Sequence, residues 1–184
     1  MKKILMTIAA AFVAVSMNAQ VYLGGSVSVN AWSSQKLAGD RSETTFALLP
    51  EIGYNLNDEW AIGTVIGYVS NKWDHVRGYN GALSESAFTF SPYARYTFLN
   101  SGKVSMFVDG GLSYTTASKA DWNELAIGFK PGLAVSLTDN ISFVSHLGFI
   151  GFDQFNPDGD DNNTTKFGLD LSGANLTFGL YFNF

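Results

Sequence analysis

Five side chains able to hold or pass charge fall within stretches that are otherwise small or apolar: Glu51, Arg95, Asp109, Lys130 and His146. The two acids and two bases sum to zero. Such a set has two uses. It can form a gated path along which an ion steps, or it can close into a network of ion pairs. The network is the expectation wherever water is scarce, because an isolated buried charge is costly and needs a partner. A second cluster, Asp158, Asp160 and Asp161 with Asn162 and Asn163, offers oxygen ligands of the kind calcium takes. The distal Glu that completes a calcium loop is missing. A solvated acidic loop is therefore expected, with no metal and no cofactor.

What must position the five is a set of strands. The clearest is Leu169 to Phe184, LDLSGANLTFGLYFNF. Ser172, Ala174, Leu176, Phe178, Leu180, Phe182 and Phe184 share one face. Gly173, Asn175, Thr177, Gly179, Tyr181 and Asn183 share the other. Alternation at period two marks a strand between two unlike environments. Here the small, polar face reads as a tight interior and the aromatic face as the outside. That inversion suits lipid outside and polar side chains within.

Seven further strands follow the same rule: Gln20–Trp32, Ser42–Asn55, Trp60–Ser70, Ser84–Phe98, Lys103–Ala117, Glu124–Leu137 and Ile141–Phe152. Outward apolar rows include Phe46, Leu48, Pro50, Ile52 and Tyr54, then Ile141, Phe143, Leu147 and Phe149. The five charge-bearing groups fall on the opposite faces, with Tyr22, Tyr93 and Tyr181. Counted from the nearer short-turn end, Glu51 and Asp109 stand at similar heights, Lys130 about two residues higher and Arg95 about two lower. A tilted strand climbs roughly 2.5 Å per residue, so these groups can meet in one band.

Connections alternate in length. Those near 57, 101 and 139 are short. Ser33–Arg41, Asn71–Leu83, Ser118–Asn123 and Asp153–Phe167 are mostly longer and more polar. Transmembrane barrels have short periplasmic turns and longer outer loops. A weak repeat also runs through the even strands: PEIGYNL from Pro50, PYARYTF from Pro92, PGLAVSL from Pro131 and FGLYFNF from Phe178. Each has apolar residues at its odd positions, so the chain reads as four hairpins in one phase. Proline inside a strand opposes that assignment; a bulge at each is the expected remedy. Trp60, Tyr54, Tyr96 and Phe98 at one rim, and Tyr68, Phe88 and Tyr114 at the other, read as interfacial belts.

Residues 1–19 read as a secretory signal. Lys2 and Lys3 precede an apolar run, Ile4 to Val15, and Ser16 to Ala19 form the cleavage region. The run is shorter than the roughly 20 residues of a spanning helix. Cutting after Ala19 leaves residues 20–184 with nine basic and 16 acidic side chains, since two of the 11 basic residues are lost, a formal charge of −7. That balance excludes nucleic acid as an expected partner. With no Cys, neither a disulfide framework nor a lipid-bearing N-terminal cysteine is available. The fold class expected is all-β: an eight-stranded antiparallel up-and-down transmembrane β-barrel behind a cleavable signal.

Signal, strand count, loop alternation and terminal Phe together resemble the small eight-stranded outer-membrane barrels, the family that includes OmpX and the transmembrane domain of OmpA. The resemblance covers residues 20–184. It implies an integral outer-membrane protein, monomeric, in contact with outer-membrane lipid. It also implies that Phe178, Leu180, Phe182 and Phe184 form a terminal signal read by the barrel assembly machinery. Its implied role is non-catalytic, in envelope integrity and surface-loop presentation, with no loop partner named.

Three alternatives remain. A narrow porin-like channel would use the same charges as a path. A lipid-modifying barrel enzyme would need His with Asp and Ser near the outer rim; Asp74 and His75, with Ser70 and Ser84, supply the types, but any polar loop can. Lipid A deacylases place Ser two residues after His, whereas His146 is followed by Leu147 and Gly148. A soluble lipocalin-like barrel would turn the charged face to solvent and would carry an early Gly-x-Trp and a late helix, neither of which is present.

Overall fold

The computed structural model describes residues 20–36, 39–74, 83–117, 122–156, 163–171 and 176–184. Ten strand segments follow in order: β1 (Val21–Lys36), β2 (Gly39–Asn55), β3 (Trp60–Asp74), β4 (Leu83–Ser101), β5 (Val104–Ala117), β6 (Asn123–Ser136), β7 (Ile141–Leu147), β8 (Phe149–Asn156), β9 (Thr164–Asp170) and β10 (Leu176–Asn183). Segments β7 and β8 are two lengths of one stave, since both pair with β6. Segments β9 and β10 make another, pairing with β8 and β7 respectively. The staves number eight. They are antiparallel throughout, and β1 pairing with β10 closes the wall.

The closure is staggered. From Ser145 the pairings run through Phe178, Val27, Leu48, Tyr68, Phe88, Thr116 and Asn123. They return to the seventh stave at Asn156, eleven residues beyond Ser145. Such a stagger requires strongly tilted strands, and eight of them leave an interior that side chains can fill.

The outward rows are the expected ones. Leu48, Ile52, Trp60, Ile66, Phe90, Ile127, Phe178, Leu180 and Phe182 are exposed on the outer surface, while Tyr22, Ala61, Phe107, Val144 and Tyr181 pack inside. At the short-turn end, Asn57 Oδ1 accepts from the N–H groups of Glu59 and Trp60 at 2.9 and 2.8 Å. Thr138 Oγ1 does the same for Asn140 and Ile141 at 3.3 and 3.0 Å. Both turns are fixed by a side chain that substitutes for backbone. Rings meet in the belts: Trp60 tilted against Tyr96 at 4.8 Å, and Tyr68 edge-on to Phe88 at 5.5 Å.

Several strands run beyond their expected ends. β1 continues to Lys36, β2 starts at Gly39 and β3 reaches Asp74, where Ser33–Arg41 and Asn71–Leu83 had read as loops. Much of Asp153–Phe167 is a hairpin, Phe155 pairing with Thr164. In these segments the sequence carries no period-two signal, yet the backbone ladder continues. The leader at 1–19 and the acidic residues Asp158, Asp160 and Asp161 lie outside the described residues.

The three strand prolines share one solution. Beside Pro50, the β2–β3 ladder lapses between Leu48↔Tyr68 and Glu51↔Val65. Beside Pro92, the β4–β5 ladder lapses between Phe90↔Tyr114 and Tyr93↔Gly111. Each proline keeps its pairing on the other side, with Gly25 and Thr64. The register passes both lapses unchanged, so no bulge forms there, contrary to expectation. The missing N–H costs two ladder rows and nothing more. At Pro131 the lapse does coincide with a bulge. Phe129 pairs with Ile150 but Gly132 pairs with His146, which leaves one extra residue on the seventh stave. Gly148 absorbs it at φ 137°, a value side-chain-bearing residues rarely adopt. The bulge reverses the phase above it. Phe149, expected to face lipid, therefore turns inward and lines the lumen.

Large inward rings sit directly across from glycines. Tyr22 faces Gly53, Tyr181 faces Gly24, Tyr93 lies between Gly63 and Gly111, and Phe107 faces Gly132. A Cβ on Gly24, Gly53, Gly63 or Gly132 would overlap the ring opposite, and one on Gly111 would overlap the chain at Pro92 and Tyr93. Gly132→Val should cost about 1–3 kcal/mol through overpacking, measured as a shifted denaturation midpoint in lipid vesicles. Gly168→Ala, where nothing lies within 4 Å, should stay within about 0.5 kcal/mol. Equal midpoints for both variants would contradict the packing account.

A candidate functional site in the lumen

The phase of each stave delivers Glu51 from β2, Arg95 from β4, Asp109 from β5 and His146 from β7 to one level of the interior. Arg95 and Asp109 face each other across the β4–β5 ladder. Arg95 Nε donates to Asp109 Oδ1 at 2.6 Å and Nη2 to Oδ2 at 2.7 Å. This two-pronged pairing is the strongest geometry available to a guanidinium and a carboxylate. Nη2 also lies 3.5 Å from Glu51 Oε1 and donates to Tyr181 Oη at 3.2 Å. Glu51 accepts from Tyr181 at 2.5 Å and from the hydroxyl of Tyr93. His146 Nε2 is 2.8 Å from Asp109 Oδ2, and its Nδ1 is 3.2 Å from Thr177 Oγ1. Glu51, Arg95 and Asp109 retain only 6, 7 and 5 % of their surface.

Aromatic rings complete the enclosure. The Arg95 guanidinium carbon stands 3.9 Å over the Phe107 ring, with Tyr181, Tyr93 and Tyr22 at 5.2, 5.3 and 5.7 Å. Tyr22 and Tyr181 stack at 5.2 Å, and Tyr22 Oη meets Tyr93 Oη at 2.5 Å. Side chains from β1, β2, β4, β5, β7 and β10 thus meet across the interior. Chemically this is a paired set: each carboxylate oxygen has a donor or cation within reach, and the cation is held on its edge and face.

Lys130 differs from the expectation that placed it among the ion pairs. It stands opposite Asp109 in the β5–β6 register, yet it makes no hydrogen bond or ion pair within 4.0 Å among the described residues. It lines a cavity of about 140 Å³ that Glu51, Asp109 and His146 of the cluster also border. A ladder of hydroxyls borders that cavity: Ser91 donates to Ser113 at 2.6 Å, Thr115 donates to Thr89 at 3.0 Å, and Thr89 and Ser113 are 3.1 Å apart. Leu49, Val65 and Phe149 are among its apolar lining residues.

Sequence reasoning did not single out Phe107, the most deeply enclosed large side chain. Its signal was its place two residues before Asp109 in an alternating strand. Nearer the outer rim the Trp122 indole donates to Glu85. The terminal residues Phe178, Leu180 and Phe182 face outward, and the Phe184 N–H donates to Val21 O at 3.0 Å. Ser70 lies in β3 and Ser84 in β4; Asp74 closes β3, and His75 lies outside the described residues. Among the described residues no three possible metal-ligating side chains form a group.

The family described as outer membrane protein beta-barrel domain matches residues 4–182. No curated protein matches the chain in sequence. Among solved structures, Neisserial surface protein A superposes with a TM-score of 0.52 at 16 % identity, covering 91 % of this chain and 98 % of that one. OprG from Pseudomonas aeruginosa gives a TM-score of 0.54 at 16 % identity, covering 90 % of this chain and 96 % of that one. At such identity the likeness is one of fold.

Proposed function

The chain belongs to the outer membrane protein beta-barrel domain family and resides in the outer membrane, and from that premise we propose that it is a non-catalytic integral barrel whose lumen is plugged. Its roles on this reading are envelope integrity and the presentation of surface loops. The observation that carries the reading is the Glu51–Arg95–Asp109–His146 cluster, enclosed by Tyr22, Tyr93, Phe107 and Tyr181. An ion path needs groups that can exchange partners with a passing ion. Here each oxygen of both carboxylates is already within reach of a donor or cation. The barrel meets lipid over its whole girth, takes the assembly machinery as its partner during insertion, and works as a monomer.

In native membranes the protein should partition with the outer membrane and migrate faster in gels before heating than after. In reconstituted vesicles, swelling in small sugars should match protein-free vesicles. Rapid swelling would favour the porin-like reading instead.

A further inference from the structure

A second group of inward charges stands at the end of β6 farther from the short connection near 139. Glu124 shares the face of Ala126, Gly128 and Lys130, which line the cavity. Across the β6–β8 ladder its register partner is Phe155; Asp153, opposite Ala126, is its diagonal neighbour on the same face. Long side chains at diagonal positions reach one another, and here the Glu124 and Asp153 carboxyl groups hydrogen-bond to each other. Ionised carboxylates are acceptors only, so that contact requires a proton between them. Lys166 of β9 lies directly opposite Asp153. With one shared proton the two acids carry a single negative charge, which Lys166 balances. Without it they carry two negatives against that one positive. The other neighbours leave this balance in place. Thr115 of β5, facing Glu124 across the second ladder, is uncharged. Glu85 of β4 is engaged by the Trp122 indole, whose ring meets Phe155 at 5.5 Å. Lys130 acts on Glu124, Asp109 and Glu51 together, with no direct ion pair to any of them.

We propose that Glu124 and Asp153 form a proton-operated latch between β6 and β8. One shared proton holds the two strands together beside the cavity; its loss sets two carboxylates against each other and loosens β8. Glu124 is the second residue of β6, twelve from Ser136 and so past the roughly 9–11 residues that cross a bilayer. Burial and the adjacent Asp153 push its carboxyl up to about 6, while Lys166 and Lys130 oppose the rise. Linkage then gives the direction. A carboxyl raised from its ordinary 4.5 favours the closed form; the gain is complete below that value and is lost as pH rises through about 6. The barrel is therefore tighter at this end in mildly acidic surroundings than at neutral pH. Ala126, opposite Asp153, lines the cavity, so loosening β8 loosens one wall of that space. The latch acts independently of the ion pairs around Arg95 and stands whether or not the lumen conducts.

The test is hydrogen exchange of the β8 amides, read by mass spectrometry on the full-length mature barrel in lipid nanodiscs and corrected for intrinsic exchange. Protection should fall by about three- to tenfold as pH rises from about 4.5 to about 7.5, the scale of the carboxyl shift discounted for partial exposure. Glu124→Gln puts an amide donor where the shared proton was, so protection should stay at its low-pH level throughout. Lys166→Met removes the balancing charge and should move the midpoint to higher pH. His75 and His146 are present in every variant, so a step that vanishes in Glu124→Gln belongs to the carboxyl pair. Heat-modifiable mobility checks that each variant is folded. Protection of β8 that does not change with pH in the unmodified barrel overturns the proposal, as does a Glu124→Gln variant that keeps the whole step. An unmoved midpoint in Lys166→Met overturns the role of Lys166 as the balancing charge.

Discussion

Arg95→Met should be the most damaging single substitution in the lumen, costing about 3–5 kcal/mol of stability, the range for removing one partner of a buried ion pair. The reason lies in what stays behind. Asp109 loses both guanidinium bonds, at 2.6 and 2.7 Å, and keeps only His146. Glu51 is less affected, because Tyr93 and Tyr181 still donate to it. The face contact with Phe107 at 3.9 Å is also lost, but a desolvated cation–π contact is worth only about 2 kcal/mol, so the orphaned carboxylate dominates. The pair of changes Arg95→Met with Asp109→Leu should therefore cost less than Arg95→Met alone, since the orphaned Asp109 charge is gone and Glu51 keeps its two hydroxyl donors. Denaturant titration of the refolded barrel in vesicles measures both. A double variant less stable than the single one would show that shape, not charge, holds the plug together. The single variant should also leak small currents if water enters to solvate Asp109.

Phe184→Asp should cut the yield of barrel in the outer membrane several-fold while leaving the folded barrel nearly as stable. The two effects separate because the residue sits at the rim. A charged substitution on the lipid face costs about 0–1 kcal/mol near the interface, against about 2–4 kcal/mol for Arg or Lys at the bilayer midplane. The Phe184 backbone bond to Val21 O survives any side-chain change. What changes is the end of the outward row Phe178, Leu180, Phe182. Pulse-labelled membrane yield in cells, set beside the denaturation midpoint of refolded protein, resolves the two. Unchanged yield would remove the terminal row as an assembly signal; a fallen midpoint with it would make the residue structural.

Much of the architecture is legible in the sequence because the bilayer imposes a strict code. Lipid on one face and a crowded polar interior on the other force period two, and the outward rows from Phe46 to Phe182 follow it. The code fails where the environments cease to differ. β9, Thr164 to Asp170, is exposed on both faces, so its alternation carries no inside–outside contrast although the strand continues. It fails again at Gly148, where one extra residue reverses the phase and brings Phe149 inward. Nothing in an alternation pattern shows a single inserted residue. Within the site, face assignments identified which groups look inward but not which ones meet. Glu51, Arg95 and Asp109 converge, whereas Lys130, on the expected face, lies opposite Asp109 and yet turns to the cavity. The arrangement of ring over glycine was also hidden, because each pair joins residues distant in the chain: Tyr22 with Gly53, Gly24 with Tyr181.

The central claim is that the interior is a packed plug and not a pore, and single-channel recording in planar bilayers tests it most directly. The unmodified barrel should give no large, stable conductance, because Arg95 bridges Asp109 and Glu51 inside a ring of tyrosines and Phe107. Large, long-lived single-channel steps from the purified, unmodified protein would contradict it.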